Sequence, residues 1–387
     1  MGLNKIQKFT LIFYIFLLSG CSSLGALKFW GDAEEEEGPA DLYSINEVKS
    51  LEREWSVSNG NDILYGRLIP AVYEGNVFYI NSSGYISSVD LDSGKVIWSK
   101  DTQDIVSSGL DVTFKTISYG TLDGNLVTLD PKDGREIWRS STSSESLSPP
   151  VNSGSHIILH TIDGRISGYN LKTGKRDWFH QTVLPSLTLR GTSQPFIDEG
   201  FVFSGFANGK VAMIYPDSGA IRLELPVTLN EGASELERIV DIDGKSIIVN
   251  NLLISASYQG NITAINLRDG RPVWQEEISS VKDLASNGNR VIAVDSKSIV
   301  RAFGTATGAR IWEQDDLKLR KLTAPSSIGN LIAVGDFEGY IHLLNTQSGE
   351  FEGREKVSRS PITEIESNGS YLLISDASGR VQKFSIK

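Results

Sequence analysis

The chain has 387 residues, with 48 acidic and 37 basic side chains and a formal net charge of −11 at pH 7. Phosphate repels so acidic a chain, which argues against a nucleic acid partner and against attraction to anionic headgroups. The single cysteine excludes an intramolecular disulfide and a multi-cysteine metal site, so the hydrophobic core must supply the stability.

The first residues have the pattern of a secretory signal. Two lysines precede an apolar run, residues 9–18, that is too short to span a bilayer. The run ends in a tetrapeptide that matches the lipobox of bacterial lipoproteins, Leu18-Ser19-Gly20-Cys21. Acylation of Cys21 would anchor the chain, and loss of the two lysines would leave a mature charge of −13. We therefore predict a signal peptide over 1–20 and lipidation of Cys21; the alternative is an ordinary signal with a stray cysteine.

Residues 21–44 predict a flexible tether between the anchor and the folded part. The acidic run Glu34–Glu37 is followed by Gly38 and Pro39, and such a stretch has little apolar surface to bury. An acidic interaction tail is the alternative interpretation.

Residues 45–387 repeat one unit that carries two glycine turns. The first turns lie at Gly84, Gly124, Gly164, Gly209, Gly260, Ser298, Gly339 and Gly379, and the second turns at Gly94, Gly134, Gly174, Gly219, Gly270, Gly308 and Gly349. Successive first turns are 40, 40, 45, 51, 38, 41 and 40 residues apart, which suits one four-stranded propeller blade per unit. Asp-Gly and Asn-Gly pairs at these turns, with short apolar or alternating runs between them, indicate β-hairpins.

Most units place a tryptophan four residues after the second glycine. A large aromatic side chain there is expected to pack against the next blade, because a single blade cannot bury both of its faces. The tryptophans assigned to this inter-blade role are Trp55, Trp98, Trp138, Trp178, Trp274 and Trp312.

The two ends of the repeat region complement each other. The last unit stops at Lys387 without a second turn, and residues 48–57 contain Trp55 but no partner strands before it. We therefore predict an all-β fold, an eight-bladed β-propeller of four-stranded antiparallel blades, whose ring is closed by the N-terminal strand.

No catalytic or metal-binding pattern emerges. The chain has no nucleophile elbow, no phosphate-binding loop and no zinc-protease helix. His156 and His160 share a strand face at a separation of about 13 Å, too far to bind one zinc ion. The acids that recur beside each second turn are explained by turn capping rather than by calcium. We predict no catalytic residue, no metal ligand and no cofactor.

The segment Asp130–Trp138 resembles the PQQ-like repeat of quinoprotein dehydrogenases, and with the lipobox the chain resembles the BamB family of propeller lipoproteins. This resemblance implies a scaffold without known catalysis that binds the POTRA domains of BamA and helps to hand over unfolded outer-membrane proteins. Binding of nascent strands by edge addition is a further hypothesis. Ser22 after the acylated cysteine implies, by resemblance to other lipoproteins, the periplasmic side of the outer membrane of a Gram-negative bacterium.

The two longest repeat intervals place extra residues in loops, where binding sites concentrate. Ser186–Gly191 resembles the Ser-Leu-Ser-Leu-Arg-Gly segment of the BamB family, with Thr188 in place of the second serine, and residues 241–243 resemble its Asp-x-Asp pair. The resemblance therefore implies a partner site of five residues: Leu187, Leu189, Arg190, Asp241 and Asp243.

Two alternatives concern the chemistry of these residues. If the segment is a strand, its leucines share one face and anchor in a partner groove, while the aspartates pair with a partner base or hold Arg190 in place. Alternatively, the leucines belong to the blade core.

Two other functions remain open at this stage. One is a PQQ-dependent dehydrogenase with a calcium-held quinone on the ring axis. The other is an envelope scaffold or stress sensor with a different partner.

Overall fold

The structure is a computed structural model that describes residues 38–60, 66–229 and 234–387. The signal peptide, Cys21 and the acidic run Glu34–Glu37 lie outside the described residues. Residues Pro39–Lys387 form one compact unit. A helix with the length and apolar character needed to cross a membrane does not occur among the described residues.

Eight four-stranded antiparallel sheets make up the described part of the chain. The first strands of most successive sheets contact one another, so the sheets stand as blades around a common axis. The predicted all-β, eight-bladed propeller is confirmed.

Each blade uses strands that are consecutive in the sequence, except the last. The first strand in the sequence, β1 (Leu51–Ser58), comes before blade 1. Blades 1 and 2 contain β2 (Ala71–Tyr73), β3 (Asn76–Ile80), β4 (Tyr85–Asp90), β5 (Val96–Asp101), β6 (Asp111–Thr113), β7 (Thr116–Gly120), β8 (Asn125–Leu129) and β9 (Glu136–Ser141). Blades 3 and 4 contain β10 (Val151–Asn152), β11 (His156–Thr161), β12 (Arg165–Asn170), β13 (Arg176–Gln181), β14 (Phe196–Asp198), β15 (Phe201–Gly205), β16 (Lys210–Ile214) and β17 (Ile221–Pro226).

The second half of the ring follows the same plan. Blades 5 and 6 contain β18 (Ile247–Val249), β19 (Leu252–Ala256), β20 (Gly260–Asn266), β21 (Pro272–Ile278), β22 (Ala285–Asn287), β23 (Arg290–Val294), β24 (Val300–Gly304) and β25 (Arg310–Gln314). Blades 7 and 8 contain β26 (Ser326–Ile328), β27 (Leu331–Gly335), β28 (Tyr340–Asn345), β29 (Phe351–Lys356), β30 (Ile362–Ser367), β31 (Tyr371–Asp376) and β32 (Arg380–Ile386), with β1 as the fourth strand of blade 8.

Strand direction divides the connections between two faces of the ring. The turns between second and third strands lie on the same face as the loops that lead from one blade to the next, and we call this the inter-blade face. The turns between third and fourth strands lie on the opposite face. The hydrophobic core runs between adjacent blades; for example, Ile254 of blade 5 and Ala293 of blade 6 are buried in one cluster.

The six tryptophans contact the following blade through one repeated geometry. The indole N–H of Trp274 donates to the carbonyl oxygen of Thr305 at 2.8 Å, three residues before the turn glycine Gly308 of blade 6. Gly308 has a φ of +71°, and a Cβ atom there would lie 2.7 Å from the indole, so the contact requires glycine. The corresponding indole hydrogen bonds run from Trp55 to Leu91, Trp98 to Pro131, Trp138 to Leu171, Trp178 to Pro216 and Trp312 to Thr346.

The fourth strand of each blade contains a β-bulge. In the six blades that have a tryptophan on this strand, the bulge places it against the neighbouring blade. In blade 5, Trp274 is opposite Ala264, and the register then skips Val273, which stays half exposed. Residues skipped at the corresponding positions are Glu54, Ile97, Ile137, Asp177, Arg222, Ile311 and Glu352.

The size of the residue opposite the tryptophan follows from this packing. Small side chains face five of the indoles, namely Ser88, Thr128, Gly168, Ala264 and Ala302. Where the fourth strand has no tryptophan, the opposite residue is large: Met213 faces Leu223 and Leu343 faces Gly353. The sixth indole, Trp55, is the exception, because it faces Lys383.

The N-terminal strand closes the ring as the fourth strand of blade 8. Leu51 pairs with Ile386 and Ser58 with Arg380, and the pairing has a bulge at the same position as in the other blades. Trp55 then packs on the turn glycine Gly94 of blade 1. The predicted closure by the N-terminal strand is confirmed.

Replacement of Trp274 by alanine should lower the free energy of unfolding by about 3–5 kcal/mol, because it opens a cavity between blades 5 and 6. Urea denaturation measures this loss. The control is Val273→Ala on the same strand, where the side chain is half exposed, and we expect a cost below about 1 kcal/mol. Equal losses for the two variants would contradict the proposed role of the indole.

Candidate functional site

Two long loops on the inter-blade face account for the long repeat intervals. Residues 182–195 connect β13 to β14, and residues 227–246 connect β17 to β18, with residues 230–233 outside the described part. We call them the first loop and the second loop. All five residues of the predicted partner site lie on these two loops.

Asp241 joins the two loops from a buried position. It is 1% exposed, and its Oδ2 accepts a short hydrogen bond from the backbone N–H of Leu189. Its own carbonyl oxygen accepts the N–H of Tyr258 at 2.9 Å, which ties the second loop to blade 5. Its Oδ1 is buried and has no hydrogen-bond partner within the described residues. Asp241 therefore fixes the shape of the first loop.

Asp243 packs against the backbone of the first loop. A Cβ atom placed on Gly191 would lie 2.3 Å from Oδ2 of Asp243, so only glycine allows this approach. Burial raises the pKa of Asp241 to about 6, against the hydrogen bond from Leu189. Burial and the charge of Asp241 raise the pKa of Asp243 to about 7. The two carboxyl groups therefore favour protonation or a cationic neighbour near neutral pH.

Arg190 reaches away from this acid pair. Its Nη2 lies 3.4 Å from Oε1 of Glu145, on the loop before blade 3, and its side chain is 56% exposed. The alternative in which the aspartates hold Arg190 in place is thus wrong, because the guanidinium pairs with Glu145 instead. The guanidinium presents its remaining N–H groups to solvent.

The segment Ser186–Gly191 is a loop and contains no strand. The expectation that its two leucines share a strand face is therefore wrong; the bond to Asp241 and the approach at Gly191 bend the backbone instead. Leu187 is 44% exposed, whereas Leu189 is half buried in a crevice beside Phe206 and Ile242. Neither leucine lies in a blade strand.

Both loops expose further apolar side chains. These side chains add apolar surface to the inter-blade face and lie outside the core. They are Val183 and Leu184 on the first loop and Leu229 and Leu236 on the second.

Sequence reasoning missed the residues that connect the first loop to the loop before blade 3. The hydroxyl of Thr192 accepts the N–H of Leu147 at 3.1 Å and donates to Oγ of Ser148 at 3.0 Å. Together with Glu145, these side chains connect the first loop to the loop of residues 142–150. No spacing or motif in the sequence marks them, because their partners are 44 or 45 residues away.

The histidines near the site have separate structural partners. His156 bonds to Asp177, while His160 contacts Ser204 and the carbonyl of Ser193, and burial lowers the pKa of His160 to about 4. In the described ranges, no three His, Cys, Asp or Glu side chains are arranged to hold a metal ion.

The ring axis contains a cavity of about 600 Å³ that is crossed by an ion cluster. Arg67 donates to both oxygens of Asp283 at 2.7 and 2.8 Å and to both oxygens of Glu364 at 3.1 and 3.2 Å. Asp283 and Glu364 are therefore committed to one arginine and do not suit a calcium ion, and Glu366 is a third acid that lines the cavity.

Comparison with known proteins gives consistent matches. The family profile described as "Outer membrane protein assembly factor BamB" matches residues 82–314 and 281–383. An outer membrane protein assembly factor BamB of Kangiella koreensis is 41% identical over 353 residues, which are 91% of this chain and 88% of that protein.

Solved structures agree with this assignment at the level of fold. The crystal structure of BamB from Moraxella catarrhalis has a TM-score of 0.81 and 30% identity, covering 87% of this chain and all of that one. The quinohemoprotein alcohol dehydrogenase of Comamonas testosteroni has a TM-score of 0.68 at 13% identity, covering 87% of this chain and 76% of that one, and shares the fold alone.

Replacement of Asp243 by asparagine should stabilise the protein at pH 8 by about 1–3 kcal/mol and have little effect at pH 4. The pKa of Asp243 is about 7, against about 4 in the unfolded chain, so its ionised form destabilises the fold above pH 7, and stability is regained as the pH falls from about 7 to about 4. Urea denaturation at both pH values measures the difference. The control Asp92→Asn changes a fully exposed side chain and should have no such effect. The same change in stability at both pH values, in either direction, would contradict the prediction.

Proposed function

The chain belongs to the BamB family of outer membrane protein assembly factors, and from this premise we propose that it is a non-catalytic scaffold that binds the POTRA domains of BamA. Its proposed location is the periplasmic side of the outer membrane, where the acylated Cys21 anchors it. The proposed task is to assist the insertion of β-barrel proteins.

The observation that carries this proposal is the arrangement of the two long loops. Asp241 ties the first loop to the second, and the first loop exposes both Leu187 and the guanidinium of Arg190, three residues apart. An apolar anchor next to a planar donor is a frequent combination at the centre of protein interfaces.

The residues of the proposed site either contact the partner or position the first loop, and Leu189 links the two groups through its backbone N–H. Leu187 and Arg190 are exposed and contact the partner directly. Asp241 is buried and acts through the backbone of Leu189, so it is a positioning residue. Asp243 is half buried beside it, and its raised pKa suits a basic side chain of the partner, whose charge would favour the ionised form.

The outer edges of the blades offer a second surface, for unfolded outer-membrane proteins. Among the described residues, each fourth strand has one edge that pairs with no other strand, although in β29 residues 48 and 49 bond to Glu352. The residues skipped by the bulges are apolar and exposed in four blades. An extended polypeptide could pair with such an edge by strand addition, which we include in the proposal. The four residues are Ile97, Ile137, Val273 and Ile311.

The partner site is tested by measuring binding of the full chain to the POTRA domains of BamA. The double variant Leu187→Asp/Arg190→Ala should weaken binding at least about tenfold, because it removes the apolar anchor and the donor fork. The control Ile137→Asp introduces the same charge at a similarly exposed apolar position on blade 2 and should bind normally.

The positioning role of Asp241 needs a separate readout. Asp241→Ala should weaken binding and also speed hydrogen exchange of the Leu189 amide, whereas Leu187→Asp/Arg190→Ala should leave that exchange unchanged. Asp241→Asn keeps an acceptor oxygen and should restore much of the protection. Undiminished binding of the folded Leu187→Asp/Arg190→Ala variant would remove these residues from the interface, and capture of a different envelope protein would support another scaffold role.

A further inference from the structure

The segment before the first strand lies along the outer side of blades 6 and 7. The N–H of Ala40 donates to the carbonyl of Lys318 at 2.9 Å, on the inter-blade face. The N–H groups of Val48 and Lys49 both donate to the carbonyl of Glu352 at 2.8 Å, at the start of β29 near the opposite face. Residues 40–49, which we call the strap, therefore cross the ring from one face to the other.

Two arginines of the propeller hold the backbone of the strap. Nη1 of Arg320 donates to the carbonyl of Ala40 at 2.9 Å, and Nη1 of Arg354 donates to the carbonyl of Tyr43 at 2.6 Å. Charged donors to carbonyl oxygens make stronger hydrogen bonds than neutral ones. These two contacts bind main-chain atoms and fix the path of the strap.

Both arginines are fixed by a buried polar cluster in blade 7. Nε of Arg320 donates to Oδ2 of Asp336 at 2.8 Å, and Nε of Arg354 donates to Nδ1 of His342 at 3.0 Å. His342 therefore carries its proton on Nε2, which lies 3.1 Å from Oδ2 of the same Asp336. Asp336 and His342 are fully buried, so the donors for the strap are held in advance.

Side chains of the strap add specific contacts. The hydroxyl of Tyr43 donates to Asp316 at 2.6 Å, and its ring lies edge-on to Phe351 with the guanidinium of Arg354 over its face. Leu42 packs against the core between blades 6 and 7. The strap is therefore held through its side chains as well as through its main-chain carbonyl groups.

The strap lies in a groove between the outer sides of blades 6 and 7. At the position where other blades carry tryptophan, blade 7 has Gly353, which leaves room for the backbone of the strap. A Cβ atom on Gly353 would lie 2.3 Å from the carbonyl oxygen of Lys49, so glycine is required there. Blade 8 has no turn between third and fourth strands, because the chain ends in β32 and begins again in β1. The strap occupies the position that a tryptophan and a turn fill elsewhere in the ring.

We propose that the groove between the outer sides of blades 6 and 7 is a binding site for the chain's own residues 40–49, and that it sets where the lipid anchor leaves the propeller. The second half of this inference rests on the proposed acylation of Cys21. With the strap bound, residues 40–44 of the predicted tether are held on the propeller, and the chain enters the strap beside Lys318, on the same face as the two partner loops.

The bound strap also limits the reach of the tether. Between Cys21 and Pro39 there are 18 residue steps, which span at most about 65 Å. Without the strap contacts the tether would continue to Leu51, a total of 30 steps and at most about 108 Å. The strap therefore shortens the range over which the propeller can meet a partner at the membrane.

Strap binding is tested on the full chain without partner or membrane. Trypsin cuts after Lys49 only when that residue is released from Glu352 and Gly353, and mass spectrometry identifies the cut. Leu42→Ala/Tyr43→Ala should raise the cutting rate at Lys49 at least about tenfold with little change in thermal stability. The control Tyr85→Ala removes a similarly exposed tyrosine elsewhere and should leave the rate unchanged.

The effect on the anchor is measured with the acylated chain in phosphatidylcholine vesicles that carry a headgroup quencher. Because Cys21 is the only native cysteine, a cysteine introduced at Arg359 or Lys132 takes a fluorophore alone. The label at 359, on the inter-blade face, should be quenched more than the label at 132, on the opposite face. Leu42→Ala/Tyr43→Ala should remove this contrast.

The two readouts separate the possible failures. Equal cutting at Lys49 in native and variant chains would overturn strap binding, whatever the function of the protein. Equal quenching of both labels in the native acylated chain, with protection of Lys49 intact, would overturn the orienting role alone. Loss of BamA binding affects neither readout, so failure of the proposed function would be recognised separately.

Discussion

The contact between one tryptophan and the turn of the next blade holds the structure together. An indole N–H bonded to a carbonyl, with the ring packed on a glycine of positive φ, recurs at six of the blade boundaries. A buried aromatic side chain of this size dominates its surroundings. The loops of the inter-blade face depend on this contact, because their spacing is set by the angle at which the blades meet.

The sequence was sufficient for the fold because the repeat is read from glycine turns, which are local signals. The interval near 40 residues, the complementary ends and the position of Trp55 predicted the number of blades and the closure. The β-bulge was not predictable, since nothing in the local sequence shows that Val273 loses its cross-strand partner. The small residues opposite the indoles, such as Gly168, also become meaningful only when the register between strands is known.

The candidate site was predictable in its location but not in its internal contacts. The long intervals and the resemblance placed Leu187, Arg190 and Asp241 on two loops. The sequence could not show that Asp241 would be buried on the N–H of Leu189, or that Arg190 would pair with Glu145. Loop backbones bend according to contacts made over 40 residues or more, and strand periodicity does not apply there.

The pairing of β1 with β32 has a consequence for how the protein matures. Leu51 and Ile386 are joined in one sheet, although they stand near opposite ends of the chain. During synthesis the amino-terminal strand is made first and must wait for the last residues before its ladder forms, and contacts this distant are slow to form. An incomplete chain would display an unpaired edge and an unburied Trp55. Quality-control proteases thus have a structural means of distinguishing a truncated product from a finished one.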